Sequence, residues 1–265
     1  MSSSKDVSII SLKPDTIGTY GVCGYKDGAK HPAVGRKIEW FSRYYPKGLR
    51  MLALISAKSG YQGMIEYLPG KHAHRPVRAD GFMFIHCIFT GFRKEFKDKG
   101  FGSSLIEACE KDAKREGMHG VAVITRQGPF MSGHEIFKGR GYKKADTSPP
   151  DFELWSLSWN AKAAMPSFAP DLPSCLTPYR KGLTIFRSPQ CPYTERNVRE
   201  IIETAKNDLG IRARIIDMDD AKAAQACPSP FGTFCIVHNG DIITHHPISD
   251  TRFRNIMRER QVHSI

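Results

Sequence analysis

One stretch near the middle of the chain, residues 82–142, restricts the fold more than any other. It opens on an almost unbroken apolar run, Phe82-Met83-Phe84-Ile85-His86-Cys87-Ile88-Phe89, which predicts a strand covered on both faces. A short basic loop over 92–99, carrying Arg93, Lys94, Lys97 and Lys99, leads into Gly100-Phe101-Gly102-Ser103-Ser104. An amphipathic helix comes directly after, with Leu105, Ile106, Cys109 and Ala113 as its apolar stripe and Gly117 as a suitable terminator. Glycines between a strand and a helix let backbone N–H groups approach a ligand closely, and the helix N-terminus adds a partial positive charge. Together they predict an anion-binding turn, most often one for phosphate. A Gly-x-Gly alone is common in unrelated chains; the neighbouring basic residues add weight to it.

The spacing Lys97-Asp98-Lys99-Gly100-Phe101-Gly102 resembles the Arg/Gln-x-x-Gly-x-Gly/Ala pyrophosphate loop of the GCN5-related N-acetyltransferases (GNAT). The succeeding elements are also similar to that superfamily: a helix, a strand over 121–125, a second helix, and Gly141-Tyr142 where the family closes with Gly-Phe. The resemblance spans roughly residues 8–159. It implies an α/β (α+β) fold, a mixed β-sheet flanked by helices, and acetyl-CoA as acyl donor to the amine of a small-molecule acceptor. Lys97, Asp98, Lys99, Gly100, Phe101, Gly102 and Ser103 would then hold the donor's phosphates, while Ile88, Phe89 and Thr90 offer backbone groups to its acyl-carrying arm. His86 is a candidate general base, because its ordinary pKa is about 6.5; a hydrogen-bonded core histidine is the alternative. Cys87 reads as a small buried residue rather than a nucleophile.

The second helix of the resemblance departs from the family pattern of Asn, then Ala, then Leu-Tyr. Counting back from Gly141-Tyr142, the tyrosine position holds Phe137, the alanine position Gly133 and the asparagine position Phe130. In many GNAT members that tyrosine protonates the departing thiolate, which a phenyl ring cannot do. Three readings stay open. Ser132, His134 or water supplies the proton; or the thiolate, from a thiol of pKa about 8.5, leaves without an acid; or the donor is not a CoA thioester. An aminoacyl-tRNA donor would suit the last reading and the formal net charge of +12. A basic surface attracts polyanions, though it also arises from solubility alone.

A chain of 265 residues suits two domains. No apolar run approaches the ~20 residues of a membrane span, and Met1-Ser2-Ser3-Ser4-Lys5-Asp6 lacks the apolar core of a secretory signal. The seven cysteines are odd in number and scattered, as expected of free thiols in a reducing compartment, and no Cys/His spacing looks like a zinc site. A cytoplasmic protein with no membrane partner and no metal is the expectation.

Before the central strand, residues 7–12 read as a strand, 31–45 as an amphipathic helix with Val34, Ile38, Trp40, Phe41 and Tyr44, and 51–57 and 62–67 as antiparallel strands. Residues 69–80, rich in Lys, His, Arg and Pro, read as a surface loop bordering the acceptor site. Beyond an acyltransferase domain at 1–160, a linker at 161–181 with Pro166, Pro170, Pro173 and Pro178 reads as extended. The domain at 182–265 then runs β-α-β-α-β-β-α, with Asn239-Gly240 as a hairpin turn and Asp250 opening the last helix. That order resembles the thioredoxin superfamily. Cys191-Pro192-Tyr193-Thr194 is similar to a glutaredoxin Cys-Pro-Tyr-Cys site with its second cysteine replaced, and Ser229-Pro230 stands where that family has a cis-proline. The two modules in this order resemble the YoaP-type proteins. A cysteine at a helix N-terminus is more nucleophilic, so a monothiol redox or binding protein centred on Cys191 is a further alternative; Thr194 excludes a dithiol cycle within the motif.

Overall fold

Apolar runs separated by glycine-containing turns must pair to satisfy their backbone groups, and in the computed structural model they do so in two main sheets. The structure describes residues 6–25, 31–91, 93–170, 172 and 174–262; the opening pentapeptide, Phe92 and Pro173, each part of a sequence expectation, lie outside them. The described chain divides into two compact units. The first is Met1–Ala73 with Val77–Phe168, and the second is His74–Pro76 with Ala169–Ile265.

The first unit runs β1 (Val7–Ser11), α1 (Pro32–Tyr44), β2 (Arg50–Ser56), β3 (Gly60–Pro69), β4 (Val77–Arg78), β5 (Phe82–Thr90), α2 (Phe101–Arg115), β6 (Gly120–Arg126), α3 (Glu135–Lys138), β7 (Lys143–Ser148), β8 (Phe152–Ser158) and β9 (Ser167–Phe168). Seven strands form one sheet in the order β1-β2-β3-β5-β6-β8-β7. All its neighbours are antiparallel except β5 and β6, whose connection is the α2 crossover. The stripe Leu105, Ile106, Cys109 and Ala113 of α2 packs on Ile65, Tyr67, Met83, Ile85, Val121, Val123 and Trp155 in one core. Side chains alternate across a strand, so the residues between these face α1, where Trp40, Phe41 and Tyr44 are buried. This mixed sheet flanked by helices is the fold class expected from the sequence.

The second unit runs β10 (Leu183–Arg187), α4 (Thr194–Leu209), β11 (Ala213–Asp217), α5 (Ala221–Gln225), β12 (Phe234–His238), β13 (Asp241–Thr244) and α6 (Asp250–Val262). Its sheet has the order β11-β10-β12-β13, with β10 parallel to β11 and the remaining neighbours antiparallel. The β12–β13 turn places Asn239 at φ 52° and Gly240 at φ 89°, the two positive values that a type I′ hairpin requires.

Three expectations need correction. The loop at 69–80 was expected at the surface, yet Ala73, His74, Arg75 and Val77 are buried. Arg75 tolerates burial because its guanidinium donates to Gln190 Oε1 at 2.5 Å and to His74 O at 2.7 Å. The stretch at 161–181 is not simply extended. Ser167–Phe168 pairs with Val77–Arg78, and a 3-10 turn at Ser174–Tyr179 sets Leu176 and Tyr179 against the second unit's core. Ser229-Pro230 is trans; among the described residues the cis bond is Pro149-Pro150.

Candidate functional site

The sheet of the first unit opens along its middle. Strands β5 and β6 pair only from Phe82↔Gly120 to Ile85↔Val123. Beyond that point β5 continues to Thr90 against β3, and β6 continues to Arg126 against β8. The two facing edges therefore part into a fork, and the backbone groups on those edges have no strand partner in each other.

After β5 comes the glycine turn expected from the sequence to hold an anion. Asp98 and Gly100 both take left-handed conformations, at φ 54° and φ 77°, which brings residues 97–103 round tightly into α2. Gly100 is the N-cap, no side chain caps the helix, and its first turn holds no acidic residue. The leading N–H groups of a helix have no intrahelical partner, so those of Phe101, Gly102 and Ser103 are available to an anion. Phe96 is buried and its ring lies 6.1 Å from that of Phe101, fixing the basic loop to the helix start. A Cβ on Gly91 would stand 2.7 Å from Lys97 Cγ, so the lysine stem lies over the end of β5. A Cβ on Gly102 would stand 2.9 Å from Ile136 Cδ1, which brings α3 beside the same turn. The predicted phosphate residues thus share one turn, and Ile88, Phe89 and Thr90 line the fork beside it.

His86 begins the unpaired part of β5, at the apex of the fork, and faces α1. Its ring lies 6.2 Å from Trp40 and 5.7 Å from Phe84. There it meets two residues that the sequence did not single out, Lys37 of α1 and Glu66 of β3. The Lys37 ammonium is paired with Glu66 Oε2, and His86 Nδ1 lies 3.6 Å from Glu66 Oε1; all three side chains are fully buried. That last distance is longer than a hydrogen bond, and Glu66 Oε1 has no hydrogen-bond donor within reach among the described residues. Burial works to raise the Glu66 pKa, but Lys37 and then His86 outweigh it and hold the carboxyl below its ordinary value. Burial likewise works to lower Lys37, and Glu66 outweighs it, so the ammonium is held above its ordinary value. The pair is ionised. One signal was present in the sequence: Lys37 falls on the stripe Val34, Phe41 and Tyr44, where an apolar side chain is the rule.

The opposite face of the fork carries a second acid–base pair. His134 is the N-cap of α3, and its Nδ1 lies 3.0 Å from Glu153 Oε2 on β8. Glu153 is the register partner of Thr125, whose Oγ1 is buried with no hydrogen-bond partner among the described residues. His86 and His134, the two predicted catalytic residues, are therefore on opposite faces of the sheet. Phe137 is fully buried in the core, edge-on to Tyr142 at 5.4 Å. Phe130, by contrast, is 63% exposed.

In the second unit Cys191 is half-buried, three residues before α4; its carbonyl accepts from Thr194 Oγ1 at 3.0 Å. Burial pushes the Cys227 thiol up to about 12 and Cys235 well above its ordinary value, so neither is an activated thiol.

The YoaP-like family profile matches residues 213–255. The chain is 29% identical over 227 residues to the uncharacterized N-acetyltransferase YoaP of Bacillus subtilis, covering 85% of this chain and 88% of that one. Among solved structures it is similar to yncA, a putative acetyltransferase of Salmonella typhimurium with acetyl-CoA, at 12% identity and a TM-score of 0.44; 60% of this chain and 97% of that one are covered. The PaiA N-acetyltransferase of Thermoplasma acidophilum with coenzyme A matches at 15% identity and a TM-score of 0.40, covering 58% of this chain and 99% of that one.

Proposed function

We propose that the first unit is an N-acetyltransferase that moves the acetyl group of acetyl-CoA to the amine of a small molecule. The observation that carries this reading is the fork between β5 and β6, opening directly beside the uncapped, basic start of α2. The relative's name, an N-acetyltransferase, supports the same activity. The pyrophosphate would sit on the N–H groups of residues 101–103, with Lys97 and Lys99 beside them. The pantetheine arm would lie in the fork, where its amides meet the edge of β5 beyond its pairing with β6 and the unpartnered Thr125 Oγ1. The orphaned hydroxyl fits such an arm, because a buried polar group needs a partner.

The acceptor amine attacks the thioester carbonyl once it is neutral, and N–H groups at the strand edge stabilise the oxyanion. His86, at the apex and beside the ionised Glu66, takes up the amine's proton. Its side chain has no solvent exposure, so the proton passes through the amine or a water entering the apex. Lys37 keeps Glu66 charged, and Glu66 in turn stabilises the imidazolium that forms.

Titration calorimetry of the full chain with acetyl-CoA tests the reading. Gly100→Glu places a carboxylate in the anion turn and should weaken binding at least ~10-fold, about 1.4 kcal/mol. Gly100→Asn, a residue that tolerates positive φ, should keep it. Absence of acetyl-CoA binding by the wild-type chain, or equal binding by Gly100→Glu, would overturn the assignment.

A further inference from the structure

When an amine adduct of a thioester collapses, a proton has to reach the departing sulphur, and Phe137 has none to give. We propose that His134 is the residue that protonates the thiolate and that Glu153 is its positioning residue. This rests on the acetyl-CoA reading above.

Five observations converge on the pair. His134 stands one turn before Phe137, and Phe137 N donates to His134 O at 3.0 Å, so the imidazole leaves the same helix start that Phe137 anchors. That helix start is beside the anion turn, through Ile136 and Gly102. The imidazole is held in one plane, stacked on Trp155 with centroids 4.8 Å apart and planes 13° apart. It is also held in one rotation, by the 3.0 Å contact of Nδ1 with Glu153. Glu153 is itself fixed, accepting from Trp155 Nε1 at 2.9 Å and paired with Lys144 of β7.

The tautomer is set by the chemistry of the partner. Burial works to raise the Glu153 pKa, but Lys144, the Trp155 N–H and His134 outweigh it, so the carboxyl is ionised and only accepts. Nδ1 must therefore carry a hydrogen, and Nε2 is the atom left to exchange a proton. With a side chain 28% exposed, the ring is neither sealed in the core nor loose in solvent. Glu135 on its own helix is a further charged neighbour, and its carboxylate accepts from Gln127 Nε2 at 2.8 Å. In the proposed step the C–S bond breaks, its electron pair stays on sulphur, and the Nε2 proton of the imidazolium passes to it. Neutral imidazole, CoA thiol and the amide result; the imidazole regains its proton from solvent. A structural role for the cluster, tying α3 to β8, would need the Nδ1 contact but not a free Nε2.

The test uses the full chain labelled with 15N-histidine, with CoA and desulpho-CoA as probes. The two bind through the same phosphates and differ in the sulphur. The His134 resonances, identified by their loss in His134→Gln, should show a protonated Nδ1 and an Nε2 that responds to CoA and not to desulpho-CoA. Glu153→Ala should remove the tautomer preference while CoA affinity stays within about twofold; Glu153→Leu, which fills the same space without an acceptor, serves if that variant does not fold. In single-turnover transfer from acetyl-CoA, His134→Gln should slow release of the CoA thiol by roughly 10²-fold, the lower end for a general acid. An identical response to the two probes, or unchanged thiol release in His134→Gln, would overturn the proposal although CoA binds. Failure of CoA to bind at all would instead overturn the donor reading and this one with it.

Discussion

At the scale of single residues, Lys37 and Glu66 occupy positions that their elements reserve for apolar side chains. Removing charges from water costs several kcal/mol per ion, and an apolar pair of the same shape would often be as stable. The ion pair is therefore better explained by what it does for His86 than by what it adds to the fold. Glu66→Gln leaves the Lys37 ammonium buried without its counter-charge and should cost about 3–5 kcal/mol, read as a lower urea midpoint. Lys37→Met with Glu66→Leu should recover most of that stability yet leave acetyl transfer impaired. The pH dependence has a definite sign. Because Glu66 is held below its ordinary pKa, its contribution is present above the unfolded value of about 4.3 and is lost as pH falls through the folded one. Lys37, held above its ordinary value, adds a contribution lost only when pH rises beyond the usual lysine range. Urea midpoints should thus fall on the acid side in the wild-type chain, and less steeply in the double variant.

At the scale of elements, strands and helices were legible where hydrophobic period and turn chemistry agreed. The stripe of α2, the glycines before it and the Asn239-Gly240 hairpin each left a local mark. In the structure the Asp220 carboxylate caps α5, accepting from Ala223 N at 2.8 Å. Asp220→Ala should cost the second unit about 1 kcal/mol, measurable as a shift of its unfolding midpoint. What the sequence hid depends on partners far along the chain. Arg75 reads as a surface charge until Gln190 is beside it. Glu153 reads as an ordinary strand glutamate until register sets it opposite Thr125 and within reach of His134. His86 and His134 were found as candidates, but not that a sheet separates them. Periodicity reports which face a residue takes within its own element, not which residue it meets across elements.

At the scale of the whole molecule, the seven free cysteines differ in environment rather than in chemistry. Cys23, Cys109, Cys227 and Cys235 are buried, while Cys87, Cys175 and Cys191 are partly exposed. Burial raises the thiol pKa of Cys109 and Cys235 well above its ordinary value. Iodoacetamide treatment of the native protein should therefore modify Cys191 ahead of Cys109, Cys227 and Cys235, as read by peptide mass spectrometry; equal modification of all four would contradict the burial pattern. The fork in the large sheet reaches further. Two strand edges of the kind that elsewhere would attract a foreign chain diverge inside one molecule. A donor lodged there would act as a missing strand, and whatever binds the folded state alone stabilises it by mass action. Supply of the acyl donor would then set how long the protein resists proteolysis, so its abundance would follow the metabolic state that feeds its reaction.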